Sequence, residues 1–412
     1  MDFTRASGIC ILCRGSKLLC GKPVCPIVLK AQALLKVKSL KLSERIEGNT
    51  PPSFFVGRAG YPKVYAGPMV PPVRGDTSLY AMPEAWFDLG FEEIVSMRSM
   101  LIRGKRRIST KDARAPSSYL NELHDAALAS RPAEAEMVVK RPPSAYLSLS
   151  DEAPPFGPSA PIKRVRFSLP TSERKLEKVY YDTHLPSKEA VLQLYSYGVP
   201  VSRITEVLSL GMLGVRKNRR LVPTRWSITA VDGLISEELV SKVRTYQPVD
   251  EITVFVYDKL GSRYVTLLVP GRWSFEWIES WFPGTTWNMT GSRPAVMGDH
   301  EGFRGRTTYP DIGGCYYASR LAIAEYLERR RRQAKALLIR EIYKDYLLPL
   351  GVWMVREALR ECYKIKPLKF ASLKDAIEHV SKLLKVPMNR YILASALLKE
   401  ALKQEKLDRH LR

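Results

Sequence analysis

Ile252-Thr-Val-Phe-Val-Tyr257 and Tyr264-Val-Thr-Leu-Leu-Val269 are two runs of β-branched and aromatic residues, joined through Asp258-Lys-Leu-Gly261-Ser. Such side chains suit a pleated surface, and the glycine admits the positive φ of a tight reversal, so the stretch predicts a β-hairpin. The chain beyond it has another period. From Tyr316 to Leu402 apolar residues recur at helical spacing, with breaks at Pro349, Pro367 and Pro387. A strand-bearing body followed by a helical region is an α+β architecture.

Upstream of the hairpin the pattern stays mixed. Ser187 opens a helix through Tyr197, and Ser202 opens another that stops at Gly211. Glu84, Trp86, Phe87, Phe91 and Ile94 give Pro83 to Arg98 a helical spacing, and Ala31 to Leu42 reads as a short basic helix. Two Pro-rich passages intervene. Pro51 to Pro83 holds Phe54, Phe55, Val56, Tyr61, Val64 and Tyr65, too apolar for a disordered spacer, and predicts ordered loops or short strands. Pro142 to Pro170, with Lys163, Arg164 and Arg166 around Val165 and Phe167, reads as a crossing between lobes. Trp273 and Trp277 are spaced for one face of a helix.

The six cysteines are unevenly placed. Cys10, Cys13, Cys20 and Cys25 form a C-x2-C-x6-C-x4-C cluster, while Cys315 and Cys362 stand alone. A Cys-x2-Cys turn presents two thiolates to one ion, and a second pair completes a tetrahedron with Zn–S distances of about 2.3 Å. Gly8, Gly15 and Gly21 permit the tight turns, and Lys17 and Lys22 ease thiolate formation. Four sulfur ligands leave no open position for water, so a Zn2+ here is structural rather than catalytic. Disulfides and an iron–sulfur cluster are the alternatives. The expected architecture is therefore α+β, a mixed α/β body with a short N-terminal zinc-binding clip and a mainly helical C-terminal region. Its segments are the clip (1–30), an N-terminal α+β region with Pro- and Gly-rich ordered loops (31–170), a central α+β region (171–315), the helical region (316–402) and a tail (403–412).

Of 412 residues, 65 are Lys or Arg and 42 are Asp or Glu, a formal charge of +23. That surplus predicts an anionic partner, nucleic acid ahead of an acidic membrane surface, because cations that neutralise phosphates release condensed counterions. No stretch approaches the roughly 18 apolar residues that span a bilayer, and Met1 to Lys22 lacks the uninterrupted apolar run of a secretory leader. The reading is a cytoplasmic protein with no membrane partner. Five Asn and five Gln, beside abundant Lys, Arg and Glu, are the composition of a thermophile's protein.

Two blocks carry candidate chemistry. Arg216, Lys217, Arg219, Arg220 and Arg225 gather near Trp226, where guanidinium forks suit phosphate and an indole face suits a base. A solvated basic loop is the plainer alternative. Asp232 follows, where a strand end would hold a metal ligand or a base. The second block is Asp299-His300-Glu301 with Arg304, Arg306, Tyr309 and Asp311, residue types suited to Mg2+ or Mn2+ binding or to proton transfer. On a strand, Asp299 and Glu301 converge while His300 turns away, and a salt-bridged turn is the plainer alternative. Gly313-Gly314 precede a long helix whose N-terminus attracts anions, and Arg329 to Arg332 put four cations around a helix. No P-loop, dinucleotide fingerprint, zincin pattern or nucleophile elbow occurs.

Five passages resemble the archaeal Nre proteins, and the resemblance covers most of the chain. They are Leu19-Cys20-Gly21-Lys22 within the cysteine cluster, Pro51 to Pro72, Leu221-Val-Pro-Thr-Arg-Trp-Ser-Ile-Thr-Ala-Val-Asp232, Pro270-Gly-Arg-Trp-Ser-Phe275, and Ile312-Gly-Gly-Cys-Tyr-Tyr-Ala318. The resemblance implies a role in DNA repair and contact with the sliding clamp, PCNA. It also implies a C-terminal clamp motif, ideally Gln-x-x-apolar-x-x-aromatic-aromatic. Here Gln404 and Leu407 are in place, whereas His410 and Leu411 replace the aromatic pair. Two functions are then in view. One is a DNA repair factor with a metal-dependent nuclease or nucleotide-processing site at Asp232, Asp299, His300 and Glu301. The other is a non-catalytic, zinc-containing DNA-binding adaptor that recruits repair proteins to the clamp.

Overall fold

A computed structural model describes residues 8–40, 42–143, 156–168 and 170–410. The chain forms two compact units. The first is Pro26–Ile235. The second runs from Ser236 into the C-terminal helices and takes in the cysteine-bearing segment, which opens with α1 (Gly8–Cys13) and ends at Cys25. The segment boundaries expected near 170 and 315 each fall inside a unit.

The first unit is built on a sheet of β1 (Arg45–Thr50), β2 (Phe54–Val56), β3 (Lys63–Val70), β4 (Ile102–Ser109), β5 (Ala133–Val139) and β6 (Ser159–Ser168), in the order β1-β5-β6-β4-β3-β2. The β4–β6 pair is parallel and the other pairs are antiparallel. Period-two alternation turns Ile46, Val64, Ile102, Ile108, Ala135, Met137 and Val165 inward. The Pro51–Pro72 passage thus supplies short strands, one of the two expected forms. Gly104 is required where β4 meets its neighbours, since a Cβ there would lie 2.3 Å from the Ile162 side chain and 2.4 Å from the Met137 sulfur.

Helices α2 (Pro26–Ser39), α3 (Phe91–Met100) and α4 (Ser118–Leu128) flank this sheet, and α4 buries Leu120, Leu123 and Ala127. Next come α5 (Arg174–Tyr181), α6 (Ser187–Ser196), α7 (Val201–Ser209) and α8 (Thr224–Val243), and the unit boundary falls within α8. Pro83 to Arg98 is not one helix. A 3-10 turn, Pro83–Ala85, ends early, and α3 starts only at Phe91 because Gly90 is extended and donates its N–H to the Glu93 carboxylate at 2.8 Å.

The second unit contains β7 (Gln247–Pro248), β8 (Ile252–Lys259), β9 (Ser262–Val269), β10 (Ser274–Trp281), β11 (Ala295–Glu301), β12 (Arg332–Gln333), β13 (Lys335–Ile342) and β14 (Leu368–Phe370). β7 and β12 pair alone, and the others form a sheet in the order β11-β10-β13-β9-β8-β14. The expected hairpin is β8–β9. Leu260 and Gly261 turn it at φ 44° and 69°, the mirror-type reversal that matches strand twist.

Helices cover both faces of this sheet. α11 (Leu373–Leu383), α12 (Met388–Ala394) and α13 (Ala396–His410) pack on Val254, Val265, Leu267, Ile278, Leu337 and Ile339. On the other face, α9 (Gly314–Arg330) and α10 (Trp353–Cys362) bring Tyr316 against Phe275, and Tyr326 and Tyr363 against Phe255. The C-terminal region is mainly helical, as expected, but it contains β13, a central strand. Ala336-Leu-Leu-Ile-Arg-Glu-Ile342 is buried on both faces, and no period separates such a run from a buried helix. Trp277 lies on β10 and Trp273 just before it, not on a helix. The four arginines do not share a helix either: α9 ends at Arg330, left-handed Arg331 caps it, and Arg332 enters β12. No described helix is long and apolar enough to cross a membrane.

Candidate functional site

The cysteine segment is held by tight turns. Arg14, Gly15, Leu18 and Gly21 all take positive φ, so the two glycines sit where sequence placed turns. The Cys13 sulfur accepts backbone N–H groups, that of Leu19 foremost, then those of Gly15, Lys17 and Leu18. Against the opposing effect of burial they hold the thiol below the ordinary cysteine range. This is the donor chemistry of a thiolate ligand. All four thiols are free of disulfides, and no three Cys, His, Asp or Glu side chains converge on a metal position among the described residues. The segment docks on its own unit, where Lys22 Nζ donates to the Lys344 carbonyl at 3.2 Å.

The central basic block divides into bracing and exposed cations. Arg219 is buried: Nε donates to the Gly214 carbonyl (2.8 Å), and Nη2 donates to those of Tyr180 (2.7 Å) and Asp182 (3.4 Å). Its guanidinium also lies 5.2 Å from the Tyr180 ring, so it ties a loop to α5. Arg216, Lys217, Arg220 and Arg225 are exposed. Trp226, 46% exposed, packs at 5.3 Å on Tyr61, 45% exposed. Asp232 is no strand end; it belongs to α8 and is buried.

In the second unit, β11 carries Asp299 and Glu301 on one face and exposed His300 on the other, the alternation expected of a strand. Glu301 is 4% exposed. Its Oε1 accepts Trp273 Nε1 and Arg320 Nε, both at 2.9 Å, and its Oε2 accepts the Tyr316 hydroxyl at 3.1 Å. Arg320 Nη1 continues to the Ser236 hydroxyl at 3.0 Å. Burial first, then the Glu301 charge, pushes the Tyr316 phenol well above its ordinary range, so it stays a donor. Asp299 accepts Arg306 Nη1 through Oδ1 and the Ile312 N–H through Oδ2, each at 3.0 Å. Every oxygen of these two carboxylates already accepts a bond from its own chain. Arg304 is exposed. Asp232 and Arg225 belong to the first unit, and His300 and Arg306 to the second.

Sequence reading passed over three features. Ile102-Arg-Gly-Lys-Arg-Arg-Ile-Ser109 is strand β4, whose odd-numbered residues Arg103, Lys105 and Arg107 share the outer sheet face. Phe303 has Arg272 at 3.8 Å and Arg244 at 5.6 Å from its ring centre. Arg320 emerges as the partner that neutralises Glu301. Alternating cations flanked by isoleucines were the available signal for the first; the others join residues far apart in sequence. Of the tail, the side chains of Gln404, Leu407 and His410, and the whole of Leu411, lie outside the described residues.

Two sheets with helical cover, a row of cations along β4 and carboxylates absorbed into internal networks define a mixed α/β protein of strongly basic composition. The chain belongs to the archaeal Nre family: the model of the archaeal Nre N-terminal region matches residues 19–288, and that of the C-terminal region matches 301–410. It is 44% identical over 391 residues to the DNA repair protein NreB of Archaeoglobus fulgidus, covering 95% of this chain and 97% of that one. It is 37% identical to the DNA repair protein NreA of the same organism, covering 90% and 93%. It is 34% identical to the DNA repair protein NreA of Haloferax volcanii, covering 84% of each. No solved structure matches the chain.

Proposed function

We propose that this chain is a DNA repair factor that binds DNA. The observation that carries the reading is its similarity, over nearly its whole length, to proteins named for DNA repair. A formal charge of +23 and exposed Arg216, Lys217, Arg220 and Arg225 beside exposed Trp226 support it, since phosphate neutralisation and base stacking need those groups. Asp299 and Glu301 act as braces that hold β11 to α9, which favours an adaptor over a nuclease centred on them. Cys10, Cys13, Cys20 and Cys25 hold a structural Zn2+, and the Gln404–Leu411 tail contacts the sliding clamp.

The test uses purified protein and labelled single-stranded and duplex oligonucleotides, with and without Mg2+ or Mn2+. Binding that weakens steeply with salt, and no cleavage product in either metal, is the expected result. Absence of binding at low ionic strength sinks the reading. Cleavage abolished by Asp299→Ala and Glu301→Ala would make it an enzyme.

A further inference from the structure

The outer face of the first unit's sheet is electrically divided. On the β1–β5 side cations meet acids of the chain: Arg45 and Arg164 each meet Glu136 at 2.9 Å, and Arg45 also meets Glu47 at 2.6 Å. On the β4–β3 side they do not. Arg103, Lys105 and Arg107 form a row on β4, with Lys63 on β3 beyond, and among the described residues none has a carboxylate within ion-pair distance. Alternate strand residues are about 6.7 Å apart, so the row repeats on the scale of one nucleotide of an extended chain.

Aromatic rings accompany the row. Tyr65, 47% exposed, is the cross-strand partner of Arg107. At the far end, Phe156 is shared by two guanidinium groups, Arg98 at 5.0 Å and Arg103 at 4.9 Å, and Arg103 reaches Phe55 at 5.8 Å. Arg103 Nε is buried without an acceptor. The Glu206 carboxylate offsets Arg98, so the open donor at this end belongs to Arg103, and an anion there is stabilising.

We propose that the outer face of β4 and β3 is a track for single-stranded DNA, with Arg103, Lys105 and Arg107 on successive phosphates and Tyr65 stacked on a base. The inference rests on the DNA-binding reading above and adds the strand type and the surface. Unpaired bases can lie on the rings, whereas a duplex keeps its base faces inside the stack.

The test compares the full-length protein with Lys105→Gln/Arg107→Gln, with Tyr65→Leu, and with Arg45→Gln from the β1–β5 side. A fluorescent thymidine 20-mer and a 20-base-pair duplex are titrated across a salt series. The double variant is expected to lose at least tenfold in single-strand affinity and about 1.4 from the slope of log K against log salt. Tyr65→Leu should weaken binding about tenfold at unchanged slope, and Arg45→Gln should behave as wild type. A double variant that melts like wild type and keeps its affinity and slope overturns the track while leaving DNA binding intact. Equal losses on duplex overturn the single-strand assignment. Wild-type protein that binds neither probe overturns both readings. Should the double variant fold poorly, exposed Tyr65→Leu decides: unchanged single-strand affinity there removes the track.

Discussion

His124 shows what a single buried side chain does in the first unit. Its ring meets the Tyr180 hydroxyl through Nδ1 at 3.1 Å and the Leu210 carbonyl through Nε2 at 3.0 Å. Burial, aided by the Arg219 charge and opposed by the Leu210 carbonyl, lowers its pKa from 6.5 to about 4. Folding therefore selects the neutral ring: the contribution is complete above about pH 6.5 and lost as pH falls toward 4, about 3 kcal/mol in all. Glu206 works in the opposite sense, because burial raises its carboxyl from 4.5 to about 7 and folding there favours the protonated form. Comparing wild type with His124→Gln isolates the histidine. The stability gap between them, read from urea midpoints, should narrow by most of that amount between pH 7 and pH 4.5, and a constant gap would contradict it. Arg219 makes the matching point for sequence reading. Five cations near a tryptophan were legible as a block, yet nothing local separates the one that faces three carbonyls from those that face water.

At the scale of elements, hairpin β8–β9, the paired strands of the Pro51–Pro72 passage and the face alternation of β11 could be read from period and turn chemistry. What failed did so for physical reasons. β13 is buried on both faces, and α3 starts late because a side chain halts the helix at Gly90. The acids of the second sheet were illegible because their partners are distant. Glu276 on β10, 2% exposed, accepts the Ser395 hydroxyl and the N–H groups of Ala396 (2.8 Å) and Leu397 (3.1 Å), capping α13. Glu341 on β13 likewise accepts Lys385 (2.9 Å) and Val386 (2.7 Å) N–H groups. Replacing Glu276 by leucine leaves those amides without an acceptor and should cost about 2–4 kcal/mol. Hydrogen exchange at the first turn of α13 should accelerate well beyond that at α9; equal protection in variant and wild type would show that the cap is dispensable.

For the molecule as a whole, the surplus of cations was plain in the sequence, while its organisation was not. Charge counts cannot distinguish arginines that neutralise Glu301, Glu279 or Glu136 from those on β4 that meet no carboxylate among the described residues. The proposed zinc makes a prediction at this scale, because the cysteine segment packs with the second unit. Metal analysis should find one Zn2+ per chain, and Cys13→Ser with Cys20→Ser should abolish it. The variant should melt several degrees lower, with faster hydrogen exchange around Lys344, where Lys22 docks. Full metal content in the variant would remove the clip.

That packing also orders the chain's own birth. The cysteines leave the ribosome before the first unit, yet the carbonyl that receives Lys22 lies more than 300 residues later, after the whole of Pro26–Ile235 has emerged. The cysteine segment must wait for Lys344 before this contact can form. Until then its thiols lack that cover, and a chain cut short before Lys344 leaves the cysteine segment without this anchor.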